Sequence, residues 1–199
     1  MRRVPIRSPI RALRCGLLLL RLSLVCRSRP GTLQNLKSCP IDDRTWNDES
    51  RSLFLRLLAS GPALLQVWEE IDFVDIPGRL IPEWLAIRNR PSASAAHRYT
   101  IDRHSVEVVT RLGRETPRGN RYDDRHYQAL LLAGILHDVG KRPGVADHAA
   151  EGARHASMVL KRMGFDRDII WWVTLLVREH LTLSEFATGQ NPNDPNVGD

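Results

Sequence analysis

The fold this sequence predicts is an all-α bundle, on three observations. From residue 46 onward apolar residues recur at spacings of three and four. Valine, isoleucine and the aromatics nowhere alternate over a run long enough to make a strand. Capping residues and Gly or Pro stops punctuate the periodic segments. The chain has 199 residues, room for one domain with a core and some extra. Its 42% hydrophobic and 26% charged content is that of a globular protein.

The elements follow in order. Asn47 or Asp48 caps a helix carrying Leu53, Phe54, Leu57 and Leu58. Gly61 and Pro62 stop it and start the next, with Leu64, Leu65, Val67, Trp68 and Ile71 facing inward. Residues 75–78 read as a turn, residues 80–88 as a short apolar piece around Trp84, and residues 90–94 as a linker. Thr100 caps a helix running to about Gly113, and residues 114–124 form a polar loop. Residues 125–139 make a helix apolar on all sides, which belongs at the centre. Asp147 caps a helix that ends at Gly164, and Asp166 starts another through Trp171, Trp172, Leu175 and Leu176 to His180. Trp171 and Trp172 are expected in the core. Beyond Ser184 the periodicity fades into a loop or frayed tail.

The net charge is +6, yet residues 1–30 hold eight arginines and no acid, leaving −2 on the remainder. A nucleic-acid role would rest on that leader alone, and it has no interleaved aromatics, so no nucleic-acid partner is expected. The apolar stretch of residues 16–25 resembles a signal peptide only loosely. Arg21 interrupts it, no A-x-A site follows, and it is shorter than the roughly 20 apolar residues a bilayer span needs. No membrane association is expected. Residues 1–45 are read as a disordered or spurious leader, residues 46–96 as a helical segment preceding the main domain, and residues 97–199 as that domain. Three cysteines, Cys15, Cys26 and Cys39, form no C-x-x-C pair, and a reducing cytoplasm is the expected location.

Chemistry concentrates in the histidines. His104 shares a helix face with Ile101, Val108 and Leu112. His137 shares one with Leu130, Ala133 and Gly134, and His180 shares one with Val173, Leu176 and Val177. Three imidazoles on three apolar faces can meet inside one bundle, with His148 opening the remaining helix. Taken alone, His104 or His180 reads as a core histidine bonded to a carbonyl. Asp138 is harder to explain that way, because a carboxylate buried beside an imidazole costs several kcal/mol without a compensating cation or donor. A divalent metal compensates it, and imidazole with carboxylate is an ordinary ligand mix. Adjacent helical side chains diverge by about 100°, so His137 and Asp138 can share an ion only at a helix end, which Val139 and Gly140 supply. Lys141 suits an anionic substrate and equally fits a solvated loop lysine. His97 reads as a packing or supporting residue, and His126 as exposed. His155, beside Arg154, is expected at the surface.

The segments "HRYTIDRHSVEVV" (97–109), "AGILHDVGK" (133–141), "DHAAEGA" (147–153) and "LLVREHLTLS" (175–184) together resemble the HD phosphohydrolase superfamily. Within it they are most similar to the HD domain of the bifunctional uridylyltransferase/uridylyl-removing enzymes of actinobacterial type. Residues 61–91 resemble the segment preceding that domain, and the likeness covers about residues 46–195. The resemblance implies an HD-domain helical bundle and metal-dependent phosphodiester hydrolysis, removing UMP or AMP from the PII nitrogen-signalling protein. It implies His104, His137 and Asp138 as ligands of a first metal, with His148 and His180 available to a second. His137, Asp138 and Lys141 would take part in catalysis. The metal would be Mn, Mg, Fe or Zn. Glu179 stands where relatives carry a second histidine, which makes it a further candidate ligand. Asn191 stands where an aspartate is usual. Neither a nucleotidyltransferase half nor regulatory ACT domains are visible, so the expectation is a truncated piece of a larger enzyme. Two other readings stay open: a small-nucleotide phosphohydrolase of the same superfamily, and a non-catalytic remnant that binds metal or PII without turnover.

Overall fold

The computed structural model describes residues 46–92, 99–115 and 124–182, together with Arg14 and Lys37. The Arg-rich leader, His97 and Asn191 lie outside the described residues. Among the described residues there are seven α-helices, one 3-10 turn and no strand. None of these helices is long and apolar enough to cross a membrane.

Helix α1 (Asp48–Leu58) starts at Asn47, whose side chain accepts from the Ser50 amide at 2.9 Å while the Ser50 hydroxyl accepts from the Asn47 amide. This reciprocal cap fixes the helix start, and Leu53, Phe54, Leu57 and Leu58 are buried as the periodicity predicts. Helix α2 (Ala63–Phe73) follows and buries Leu64, Val67, Trp68 and Ile71. The predicted turn at residues 75–78 is instead a short helix, α3 (Ile76–Leu80). Asp75 reverses the chain in a left-handed conformation (φ 61°), and Pro77 stands in the first helical turn, where a missing N–H costs nothing. A 3-10 turn over Pro82–Ala86 then buries Trp84 edge-on to Trp68, with ring centroids 5.4 Å apart.

The remaining helices form the bundle that carries the histidines. They are α4 (Ile101–Glu115), α5 (Arg125–Leu136), α6 (His148–Met163) and α7 (Arg167–Arg178). Asp124, Asp147 and Asp166 cap α5, α6 and α7 through their side chains. Gly164 ends α6 at φ 76°, a backbone region that penalises any residue with a Cβ. Helix α5 is central: it packs on α4, α6 and α7, and Leu131 to Leu136 are all buried. The buried side chains of α1 to α7 form one continuous core.

Helix α7 corrects one expectation. Its buried stripe is Ile169, Val173 and Val177, four residues apart, so Trp171 and Trp172 fall off the core face. They are 58% and 37% exposed. The segment is apolar nearly all round, and composition alone did not distinguish the covered face.

Candidate metal centre

The inner end of α5 runs into a turn over residues 137–140, in which the Val139 amide donates to Leu136 O and the Lys141 amide donates to Asp138 O. This turn lets His137 and Asp138 aim into one space. Asp138 is 1% exposed, a carboxylate sealed inside the bundle. His104 comes from the second turn of α4, His148 from the first residue of α6, and His180 from just beyond α7.

The four imidazoles form a chain of edge-to-face neighbours. Ring centroids of His104 and His137 lie 5.2 Å apart, those of His137 and His180 5.2 Å, and those of His148 and His180 5.7 Å. Ligand atoms of His104, His137 and Asp138 all fall within 4.8 Å of one another, as do those of Asp138, His148 and His180. Asp138 is common to both groups.

The tautomers are set by the backbone. Nδ1–H of His137 donates to Gly134 O at 2.9 Å, and Nδ1–H of His180 donates to Val177 O at 2.6 Å. The Nε2 lone pairs therefore face inward, as metal-binding histidines require. They meet Asp138 at 3.4 Å (His137 Nε2 to Oδ2) and 3.6 Å (His180 Nε2 to Oδ1), long for hydrogen bonds. Asp138 Oδ1, His148 Nε2 and His180 Nε2 are buried without a partner. A neutral imidazole lone pair facing a carboxylate oxygen sets acceptor against acceptor. Only a cation, proton or metal, relieves that. The donor set of nitrogen and oxygen, with orphaned lone pairs converging, fits a divalent metal.

The electrostatics agree. Burial pushes the Asp138 carboxyl up, but His137, His180 and Lys141 outweigh it and hold the group far below the usual carboxylate range, so it is charged. Burial and the Lys141 charge push His148 down, toward the neutral form that binds metal. His180 is raised: burial opposes its charge, and Asp138 more than compensates. Lys141 Nζ donates to Asp138 Oδ2 at 2.9 Å. It thus stands at the carboxylate, on the rim of a cavity of about 730 Å³ that opens onto His104, His137, Asp138 and His180.

Glu179 stands outside both groups. It caps α7 and is half-exposed, and its Oε2 accepts from the Thr182 hydroxyl at 2.9 Å. His126 is exposed, as expected, with its ring 5.4 Å from that of Trp172. His155 is a correction: it is 6% exposed, not at the surface, and its Nε2 lies 2.8 Å from Glu151 Oε1. Arg154 beside it is exposed, but one residue along a helix is a turn of about 100° and says nothing of its neighbour's face. The sequence reading also missed the seating of the turn at residues 137–140. Gly140 lies directly on the backbone of α6 at His148 and Gly152. The signal available was the pair of small residues, which carries little information without the fold.

Residues 101–196 match the family profile described as HD domain. The chain is 40% identical over 151 residues to the bifunctional uridylyltransferase/uridylyl-removing enzyme of Streptomyces coelicolor, covering 75% of this chain and 17% of that protein. The enzyme of the same name from Mycobacterium tuberculosis is 36% identical over 150 residues, 75% of this chain and 18% of that one. That from Caulobacter vibrioides is 32% identical over 153 residues, 71% and 16% respectively. The chain thus spans less than a fifth of the length of these curated relatives. No solved structure matches it.

Proposed function

Because the chain belongs to the HD-domain family, we propose that it hydrolyses a phosphodiester at a divalent-metal centre, and that the natural bond joins a nucleotide to a tyrosine of the PII protein. The relatives' name includes uridylyl removal. The observation that supports the reading most is the sealed Asp138 carboxylate, shared by two histidine groups, with Asp138 Oδ1, His148 Nε2 and His180 Nε2 buried without a hydrogen-bond partner.

His104, His137 and Asp138 would hold one ion, and Asp138, His148 and His180 a second. Bound there, a divalent ion supplies Lewis acidity toward phosphoryl oxygens and lowers the pKa of water. The chain's own residues do the rest. The carbonyls of Gly134 and Val177 orient the two imidazoles before substrate arrives. Lys141 keeps Asp138 in place and presents an ammonium where phosphoryl charge develops. In the reaction a water oxygen bonds to phosphorus and the bond from phosphorus to the tyrosyl oxygen breaks. The phenolate leaves and takes a proton, giving a nucleoside monophosphate and free tyrosine. A phenol, with a pKa near 10, leaves far more readily than a ribose alkoxide. The tyrosyl bond can therefore be cut without a strong general acid.

The test is metal analysis of the purified chain, with hydrolysis of bis(p-nitrophenyl) phosphate and of uridylylated PII, repeated for Asp138→Ala. Metal and turnover, both abolished by the substitution, are expected. Metal without turnover of either substrate would identify a binding module, and absence of metal would defeat the reading.

A further inference from the structure

The segment before the bundle meets α4 across a cavity of about 210 Å³ that no residue of the metal centre lines. Trp68 and Asp72 of α2, Trp84 of the 3-10 turn and Asp102 of α4 wall it, with Leu65 and Val106 as apolar neighbours. Each of those four polar residues buries an atom that has no hydrogen-bond partner: Nε1 of Trp68, Nε1 of Trp84, Oδ1 of Asp72 and Oδ1 of Asp102. Trp68, Trp84 and Asp102 are 4%, 1% and 8% exposed. Two N–H donors and two carboxylate acceptors thus stand unmet on the walls of one cavity, where an unmade hydrogen bond is costly.

The partners these carboxylates do have sit on their other oxygens. Arg88 Nε donates to Asp72 Oδ2 at 3.0 Å, and the Asn89 amide donates to Asp102 Oδ2 at 2.9 Å. Negative charge is left over. Arg88 is shared between Asp72 and Asp75. Arg103, the one base on the cavity wall among the described residues, is shared between Glu69 and Glu107. Asp102 makes no ion pair among the described residues. The amides at the start of α4 favour its charge but leave Oδ1 unmet. Burial pushes the Asp72 carboxyl up against the pull of Arg88, and the charges of Asp102 and Asp75 add to the rise. Water meets hydrogen bonds but brings no charge, and a buried carboxylate without a cation is costly.

We propose that this cavity binds a small organic ammonium compound that also carries one uncharged oxygen acceptor. The ammonium donates to Asp72 Oδ1 and Asp102 Oδ1, the oxygen accepts from the two indole N–H groups, and a short alkyl part covers Leu65 and Val106. A carboxylate in place of the neutral oxygen would face Glu69, Asp72 and Asp102, so an ordinary amino acid is rejected. The volume is below that of a drug-sized site, which keeps the compound small. The assignment does not rest on the hydrolase reading. Its consequence for the fold is that a bound cation braces α2 and the 3-10 turn against α4, the helix that carries His104.

Calorimetric titration of the full chain tests this with three probes of one carbon skeleton: leucinamide, 3-methylbutylamine and leucine. At about pH 6.5 all three amines are charged. Leucinamide should bind about tenfold more tightly than 3-methylbutylamine, which lacks the acceptor, and leucine should not bind. Asp102→Asn, which keeps an oxygen for the Asn89 amide, should weaken leucinamide about tenfold. Asp72→Asn should do the same, and carries the test if Asp102→Asn does not fold. No binding of leucinamide would mean that the cavity holds water only, and overturns the proposal. So would leucine or 3-methylbutylamine binding as tightly as leucinamide, or binding indifferent to both carboxylates.

Discussion

Gly140 rests against Gly152, backbone on backbone. A Cβ on Gly140 would collide with His148 O and the Gly152 amide and stand 2.8 Å from Gly152 Cα. A Cβ on Gly152 would in turn stand 3.2 Å from His137 O. These contacts seat the turn carrying His137 and Asp138 on the first turns of α6, which carry His148. Gly140→Ala therefore has to push the turn and the helix apart. Neither surface is a flexible side chain that could yield, so a destabilisation of roughly 2–3 kcal/mol is expected, in the range for overpacking a core. Thermal unfolding checks the stability. Metal affinity should fall more than that of a mutant equally destabilised elsewhere, such as Leu57→Ala, because the displacement separates His148 from Asp138.

Asp138 belongs to both ligand groups, whereas His104 and His148 each belong to one. Metal stoichiometry should follow that arithmetic. His104→Ala and His148→Ala should each retain about one equivalent of metal, and Asp138→Ala none, as read by elemental analysis after gel filtration. Equal loss in all three variants would mean one ion and not two.

The bundle could be read from the sequence because caps and periodicity act locally. Asn47, Asp147 and Asp166 each announce a helix through a side chain that bonds two or three residues onward. The histidine convergence was legible because each ring sits on an apolar face, and apolar faces must meet. What failed depended on which face a helix covers once docked. Trp171 and Trp172 looked like core because α7 is apolar nearly all round, and His155 looked like surface because its neighbour is charged. The acidic cavity was invisible for another reason: Trp68 and Asp102 are 34 positions apart, and only the fold brings them to one cavity.

The tryptophans offer a direct test of that correction. Trp84 is 1% exposed and packs on Trp68, so Trp84→Ala should cost about 3–5 kcal/mol. Trp171, more than half exposed, should tolerate Ser with a change within about 0.5 kcal/mol, as surface substitutions usually do. Denaturant unfolding of the two variants separates them. A large cost for Trp171→Ser would return that side chain to the core.

The last expectation concerns acid stability. Glu83, in the 3-10 turn, pairs in parallel with Arg162 of α6, with Oε1 to Nη1 at 2.9 Å and Oε2 to Nη2 at 2.6 Å. The pair ties the segment before the bundle to the bundle itself. Burial pushes the Glu83 carboxyl up, but the Arg162 hydrogen bonds and charge outweigh it, and the group titrates below the ordinary glutamate range. A carboxyl depressed in the folded state stabilises fully above its unfolded pKa, near 4.3. That contribution is lost as pH falls toward the folded value, because the unfolded chain takes up the proton first. Glu83→Gln should therefore cost roughly 2 kcal/mol at pH 7, the scale of hydrogen bonds to charged groups. The gap between mutant and parent should narrow as pH falls from 5 to 3. Urea unfolding of both proteins across that range measures it, and a gap that stayed constant with pH would show that the carboxylate charge is not what Arg162 holds.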